Sequence, residues 1–552
     1  MSVDGSRLAG PLLVAATVLL LLPFVGKAFH IDDPLFIWQA QQVQLHPLNP
    51  YGFAVNWYLT AQPMYEIMKN PPAASYIIAA VATLVGWSEP ALHAFFLLPA
   101  VGVILGTWRL GRELCGRPAL AAAIALTSPV FLISATSVMC DTIMLCVWIW
   151  AVVLWVVGLR QGSQWRLGGA AVLIGFAALT KYFAAVLIPL LVVYTWIDRR
   201  RPSITLAWML VPAGILALYQ GWSSALYGRG LLSDAGAYAI DIRPPSIVMG
   251  GVTALVFVGG CLLPAAIQSF VLVRRWWLPL GAAALAIVAV APMTIPTGLF
   301  DALGQPYWGR LLEALLFAAG GASLLTIAAE DVLRDRSAAA WLLALWVIGT
   351  IVFAGFLNWT VNGRTILPML PAAGILVARK LDHGAAGAAP KRRFVAPWIG
   401  VVFAGIVGLV LARADFVEAN AAREAARRIV AEASPAHGTL WFTGHWGFQF
   451  YMEAGGGRPI DVDHSTVLAG DVYALPMDNT NRVDPPPEYL GALTKVEIPL
   501  VSGVTVFRVE RGPGFYAGLK SVLPFVFESF QPDTYLAYGV TGWFGQAPPG
   551  GG

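Results

Sequence analysis

The stretch Leu8–Phe29, LAGPLLVAATVLLLLPFVGKAF, runs directly into His30-Ile31-Asp32-Asp33-Pro34. Its 22 residues are long enough to cross a bilayer, for which about 17–25 mostly apolar residues suffice. Two adjacent carboxylates at the end of such a helix cost a few kcal/mol unless paired or hydrated, so they mark chemistry or transport. The apolar run exceeds a typical signal-peptide core and lacks a clear small-x-small cleavage site, so it reads as a retained helix.

Composition extends this reading to the whole chain. Of 552 residues, 58% are hydrophobic and 12% charged, with a mean hydropathy of +0.69. Soluble domains carry about 25% charged residues. The chain therefore reads as a polytopic α-helical membrane protein, with no nucleic-acid partner. Cys115, Cys140, Cys146 and Cys261 all fall in apolar segments without metal-ligand spacing, so neither a disulfide framework nor a zinc site is expected.

Apolar windows of spanning length fall near 8–29, 91–110, 118–135, 141–159, 204–222, 247–273, 277–296, 311–329, 338–357, 365–379 and 394–412. Gly168–Trp196 is too long for one span, and basic residues flank it on both sides: Arg160 and Arg166 before, Arg199-Arg200-Arg201 after. Lys and Arg favour the cytoplasmic side, so the segment is expected to cross twice, with Lys181 at the outer turn. This brings the count to about thirteen transmembrane helices. Ala73–Trp87 reads as a juxtamembrane helix. The amino terminus is then cytoplasmic and the carboxyl terminus outside, in a plasma (inner) membrane.

Two domains are expected. Residues 1–412 form the membrane part, net +9, with a first outer loop over 30–90; residues 413–552 are net −5. The tail opens on a helix-favouring Phe416–Ala433 and continues in strand-like runs at Thr439–Thr443, Pro459–Val462, Val496–Leu500 and Val504–Val509. A small extracytoplasmic α/β or α+β domain is expected there. The final Gly545–Gly552 is a Gly/Pro tail.

This topology leaves seven cations outside: Lys27, Lys69, Lys181, Arg229, Arg243, Arg310 and Arg364. Lys181 and Arg364 sit in very short turns between apolar spans, and Lys69 precedes Asn70-Pro71-Pro72. These three are candidates for holding an anion; Arg229 and Arg243 lie in a longer loop and read equally as solvated charges. A carboxylate cluster facing cations suits transfer of a sugar from a polyprenyl phosphate. That leaving group is already anionic and needs cations rather than a general acid, while the acceptor hydroxyl needs one base. A glycosidase would need paired carboxylates.

The ordered set of Asp32-Asp33, Asn70-Pro71-Pro72, Asp141, Leu179-Thr180-Lys181-Tyr182 and Arg364-Thr365-Ile366-Leu367-Pro368 resembles the integral membrane GT-C glycosyltransferases. The branch it resembles holds the protein O-mannosyltransferases and the lipid A aminoarabinose transferases. The resemblance covers residues 1–412, and Trp441–Asp461 is similar to tails of bacterial members. It implies a catalytic base at Asp32 or Asp33, and donor-phosphate or substrate contacts at Lys69, Asp141, Lys181, Tyr182 and Arg364. Asp141 also reads as a helix N-cap, and Tyr182 and Trp57 as interfacial aromatics. The family's usual Asp-Glu pair is Asp-Asp here, and its His-Pro-Pro is Asn70-Pro71-Pro72. The implied partners are a polyprenyl-phosphate sugar donor and a lipid, glycan or protein acceptor. The implied cofactor is a divalent metal ion or none, and no metal ligands are assigned.

The competing class is a secondary transporter or lipid flippase. Transporters usually carry internal repeats and midplane charges on broken helices; this chain shows no repeat, and its charges gather at one face. The topology is testable by labelling introduced cysteines. Position 181 should react with an impermeant reagent from the extracytoplasmic side, and labelling only from the cytoplasm would remove the hairpin.

Overall fold

The computed structural model describes residues 3–201, 203–241, 246–291, 297–383, 390–433, 438–510, 512–518 and 521–546. Arg243 and most of the Gly/Pro tail lie outside them. Among the described residues, seven helices are long and apolar enough to cross a membrane: Glu89–Leu114, Cys140–Gln161, Tyr182–Arg199, Ile204–Tyr227, Trp308–Asp335, Ala338–Leu357 and Ala396–Ala433. The pair Ile247–Cys261 and Leu263–Leu272, bent by 97°, would be an eighth.

The other expected spans coincide with shorter or interrupted helices, and proline marks the interruptions. Pro118–Leu126 stops before Ser128, and Pro129–Ser134 restarts on a proline that has no N–H to donate. Pro264 opens the helix beyond the 97° bend in the same way. Gln164–Thr180 ends at Lys181, whose backbone is extended, and a 3-10 turn, Tyr182–Val186, leads into Leu187–Arg199. The helix is thus broken at Lys181.

Small residues let the helices approach closely. A Cβ on Gly259 would lie 1.8 Å from the carbonyl oxygen of Phe317, and one on Gly321 2.3 Å from that of Leu255. Helices Ile247–Cys261 and Trp308–Asp335 therefore touch backbone to backbone.

The segment 30–90 folds into the helix Asp33–Leu45, a hairpin of Ala54–Asn56 with Ala61–Pro63, and the helix Ala73–Val85. The last apolar span does not end at residue 412. It continues without a break as Pro390–Ala433, so the 412/413 boundary falls inside one helix. Beyond it, a five-stranded sheet runs in the order Arg458–Pro459, Leu440–Phe442, Val472–Pro476, Asp533–Val540, Leu490–Ile498. The first two pairings are parallel and the rest antiparallel. Ala422, Ala425 and Ile429 of the long helix pack with Phe448 and Met452 of Trp446–Ala454 and with Phe442, Ala474 and Tyr535 of the sheet.

Val504–Val509 departs from expectation. It pairs only through isolated bridges, Thr505 with Val526 and Phe507 with Gly514. Val506, Phe515, Leu523 and Phe525 are buried in the same core as the membrane helices. This stretch is apolar enough for a strand, yet it inserts between helices, and Gly363 and Gly518 donate hydrogen bonds across the junction to Phe515 and Val361.

Lys27, counted among the outer cations, is fully buried and pairs with Asp415 at 2.5 Å; the Tyr516 hydroxyl donates to the other Asp415 oxygen at 2.7 Å. The pair ties the end of the first helix to the long last helix. Breaking one side of a buried pair costs about 3–5 kcal/mol, because a charge is left uncompensated. Lys27→Met should markedly lower the thermal midpoint of the purified protein, and adding Asp415→Asn should recover much of it. No recovery would mean that Lys27 acts through packing alone.

Candidate active site

The first helix gives way to an unusual turn. Ile31 has φ 51°, in the left-handed region where a β-branched residue is strained. Asp32 follows as the N-cap of Asp33–Leu45, but its side chain makes no cap hydrogen bond and is free to face outward. Asp33 turns the opposite way and is completely buried. One of its oxygens accepts from the His30 N–H at 2.9 Å, the other from the Val138 N–H at 2.8 Å.

Asp32 faces a cavity of ≈ 680 Å³. Lys69, Asp141, Lys181, Tyr182 and Arg364 line the same cavity, whereas Asp33 does not. Of the two carboxylates offered as alternatives for the base, only Asp32 lines the cavity. Each cavity cation has a carboxylate partner: Arg364 Nη1 with Asp32 at 2.8 Å, Lys181 with Asp141 at 2.6 Å, and Lys69 with Asp234 at 2.7 Å. Opposite charges at such separations attract strongly where water is scarce.

The surrounding backbone explains the convergence. Asp141 lies in the first turn of Cys140–Gln161, and Met139 rather than Asp141 holds the N-cap position. The Asp141 side chain is thereby directed to Lys181 instead of to the helix end. Arg364 lies on the short helix Gly363–Ile366, which Asn362 and Thr365 cap reciprocally. Its Nη1 also approaches Met139 Sδ at 2.9 Å, and its Nε is buried with no hydrogen-bond partner among the described residues. An unmet donor costs about 1–3 kcal/mol. The Tyr182 hydroxyl meets that of Tyr219 at 3.0 Å.

Two other cations expected outside do not line the cavity. Arg229 bridges Glu66 and Asp234, and Arg310 binds Glu528 at 2.8 Å. Residues not singled out from the sequence complete the cavity wall, among them the polar Tyr58, Tyr238, Trp359 and Asn362 and the apolar Leu35, Val186, Phe353 and Leu357. Asp234, the Lys69 partner, lies on Leu231–Asp241 inside what the hydropathy pattern shows only as a loop. Among the described residues no group of three or more His, Cys, Asp and Glu is placed to hold a metal ion. With Asp32 and Asp141 each bound to a cation, the cavity donors do not fit a resident divalent ion.

The tail packs against Trp57, a cavity-lining residue. His445 is buried, its ring 4.8 Å from that of Trp57, and it bonds Asn479 at 3.0 Å. Asn481 donates to the Trp57 carbonyl at 2.9 Å.

A family model described as dolichyl-phosphate-mannose-protein mannosyltransferase matches residues 69–221. In sequence, no curated protein matches. The fold is similar to that of an Archaeoglobus fulgidus oligosaccharyltransferase tethered with an acceptor peptide containing the NVT sequon, with TM-score 0.50 and 14% identity over 83% of this chain. The chain spans 64% of that protein's length. It is also similar to ArnT from Cupriavidus metallidurans bound to undecaprenyl phosphate, with TM-score 0.50 and 13% identity, covering 86% of this chain and 94% of that one. At these identities the structures show a shared fold. Family model and fold together support a GT-C membrane glycosyltransferase.

Burial holds the His445 imidazole down at about 4, so it is neutral in the fold at neutral pH. The unfolded chain binds this proton below about 6.5, and stability is lost as pH falls from there towards about 4. Burial raises Asp33 to about 7, against the pull of Lys27 and its two backbone donors. Its effect has the opposite sign, since the fold takes up that proton first. His445→Gln should therefore lose less thermal stability than the unaltered chain between about pH 7 and pH 5. Parallel melting curves would remove His445 from the acid response.

Proposed function

We propose that the chain transfers a sugar from a polyprenyl-phosphate donor to an acceptor hydroxyl at the outer face of the membrane. The observation that carries this reading is the convergence of Asp32 with Lys69, Lys181 and Arg364 on one cavity. Asp32 is the base, because it is the member of the Asp32–Asp33 pair that reaches the cavity. It accepts the proton of the acceptor hydroxyl as that oxygen bonds to the anomeric carbon. The bond from that carbon to the phosphate oxygen breaks, and the electron pair leaves with the polyprenyl phosphate.

Lys69, Lys181 and Arg364 hold the phosphate as its charge grows, and no general acid is needed. Asp141 orients Lys181, and Tyr182 packs at the same wall. The apolar lining residues Leu35, Val186, Phe353 and Leu357 suit an isoprenoid chain. The bound undecaprenyl phosphate of ArnT supports this donor class. The acceptor is a lipid, glycan or protein hydroxyl. The reading places the chain in the plasma membrane with about thirteen spans, a cytoplasmic amino terminus, and the tail outside beside the cavity.

Two sets of variants test it, with turnover measured on lipid-linked sugars extracted from the host membrane. Asp32→Asn should lower turnover by about 10²–10⁴-fold without loss of expression. Lys181→Ala and Arg364→Ala should weaken binding of polyprenyl phosphate and slow turnover together, while Arg229→Ala, which does not line the cavity, should change little. Full turnover in Asp32→Asn would refute the base; unchanged binding and turnover in both cation variants would refute the phosphate cradle.

A further inference from the structure

We infer that Asp33 is a positioning residue, whose buried carboxylate fastens the strained turn presenting Asp32 to the chain segment that carries Asp141. This rests on the transferase reading and adds to it a residue that touches neither substrate. Asp33 bonds backward to His30 N–H, across Ile31, and outward to Val138 N–H, three residues before Asp141. A second bond, Asp33 N–H to the His30 carbonyl at 3.0 Å, closes the turn. The left-handed Ile31 is costly on its own, by about 1–3 kcal/mol, and the two bonds with His30 hold it. Met139, one residue beyond Val138, touches Arg364, which in turn holds Asp32. The base, its cation and the Asp141–Lys181 pair thus share one frame through a single carboxylate.

Both oxygens of Asp33 accept backbone N–H groups, so an amide there cannot substitute: its NH₂ would face a donor. Errors of about 1 Å in placing a reacting group can cost on the order of 10²-fold in rate. Lys181 and Lys69 keep their own carboxylates, Asp141 and Asp234, when Asp33 is replaced, so phosphate binding depends on Asp33 less than the placement of Asp32 does.

The experiment compares turnover on extracted lipid-linked sugars with binding of polyprenyl phosphate, using the full chain in lipid nanodiscs. Asp33→Asn should lower kcat by about 10–100-fold while polyprenyl-phosphate binding stays within about twofold. Ile31→Gly removes the strain, since glycine adopts positive φ freely, and added to Asp33→Asn it should recover several-fold of the lost kcat. Asp33→Ser, which keeps one acceptor and buries no amide, should show the same split between kcat and binding if Asp33→Asn is not recovered folded. Unaltered kcat in the Asp33 variants would overturn the positioning role. So would a parallel loss of kcat and binding that Ile31→Gly worsens, which marks a merely structural residue. An unaltered chain that transfers no sugar would instead overturn the transferase reading itself.

Discussion

Charge neutrality at the edge of an apolar medium governs this structure, and the Asp32–Arg364 contact is its central case. A carboxylate or guanidinium taken out of water loses several kcal/mol of solvation unless an opposite charge meets it. The cavity answers that cost three times, with Arg364 on Asp32, Lys181 on Asp141 and Lys69 on Asp234. Behind the cavity Lys27 and Asp415 repeat the device in complete burial. Each pair joins segments far apart in sequence. The same contacts that neutralise the charges therefore also fix which loops meet.

Helix interruptions make this convergence accessible. Lys181 falls where Gln164–Thr180 ends, and Arg364 falls on a helix of four residues between longer ones. Side chains in continuous spans would face lipid or neighbouring helices. Residues at broken ends project into the space the break opens. Proline, which cannot extend the hydrogen-bond ladder, produces several of these ends. Close glycine contacts, such as Gly259 against Phe317, compensate by packing the surrounding helices tightly.

Hydropathy made the helices legible, and charge bias isolated Lys69, Lys181 and Arg364, because outer cations are rare enough to carry information. The partners of those cations were harder to see. Asp234 lies in a segment of mixed polarity, and nothing local distinguishes it from a solvated loop carboxylate. Lys27 looked like any outer cation because its partner lies 388 residues away. The different fates of Asp32 and Asp33 were not legible either. They depend on one backbone angle at Ile31 and on a hydrogen bond to Val138, and neither leaves a trace in residue type. The tail posed the converse problem. Val504–Val509 carries strand-like apolarity, but burial among membrane helices demands the same composition as a sheet core.

Direct contact between the base and a phosphate-binding cation looks at first like a conflict, since Asp32 already occupies part of the charge on Arg364. On the proposed reading it resolves into a single movement of charge. Before transfer, Arg364 balances the Asp32 carboxylate. As the acceptor proton reaches Asp32, that carboxylate becomes neutral and releases its hold on the guanidinium. In the same step the breaking glycosidic bond adds charge to the phosphate. Negative charge thus passes from one side of Arg364 to the other while the total around it stays constant. In a medium of low dielectric, a pathway that relocates charge across a fixed cation is far less costly than one that creates or separates it. The planar guanidinium, with several donors in one rigid fork, is suited to face both groups at once.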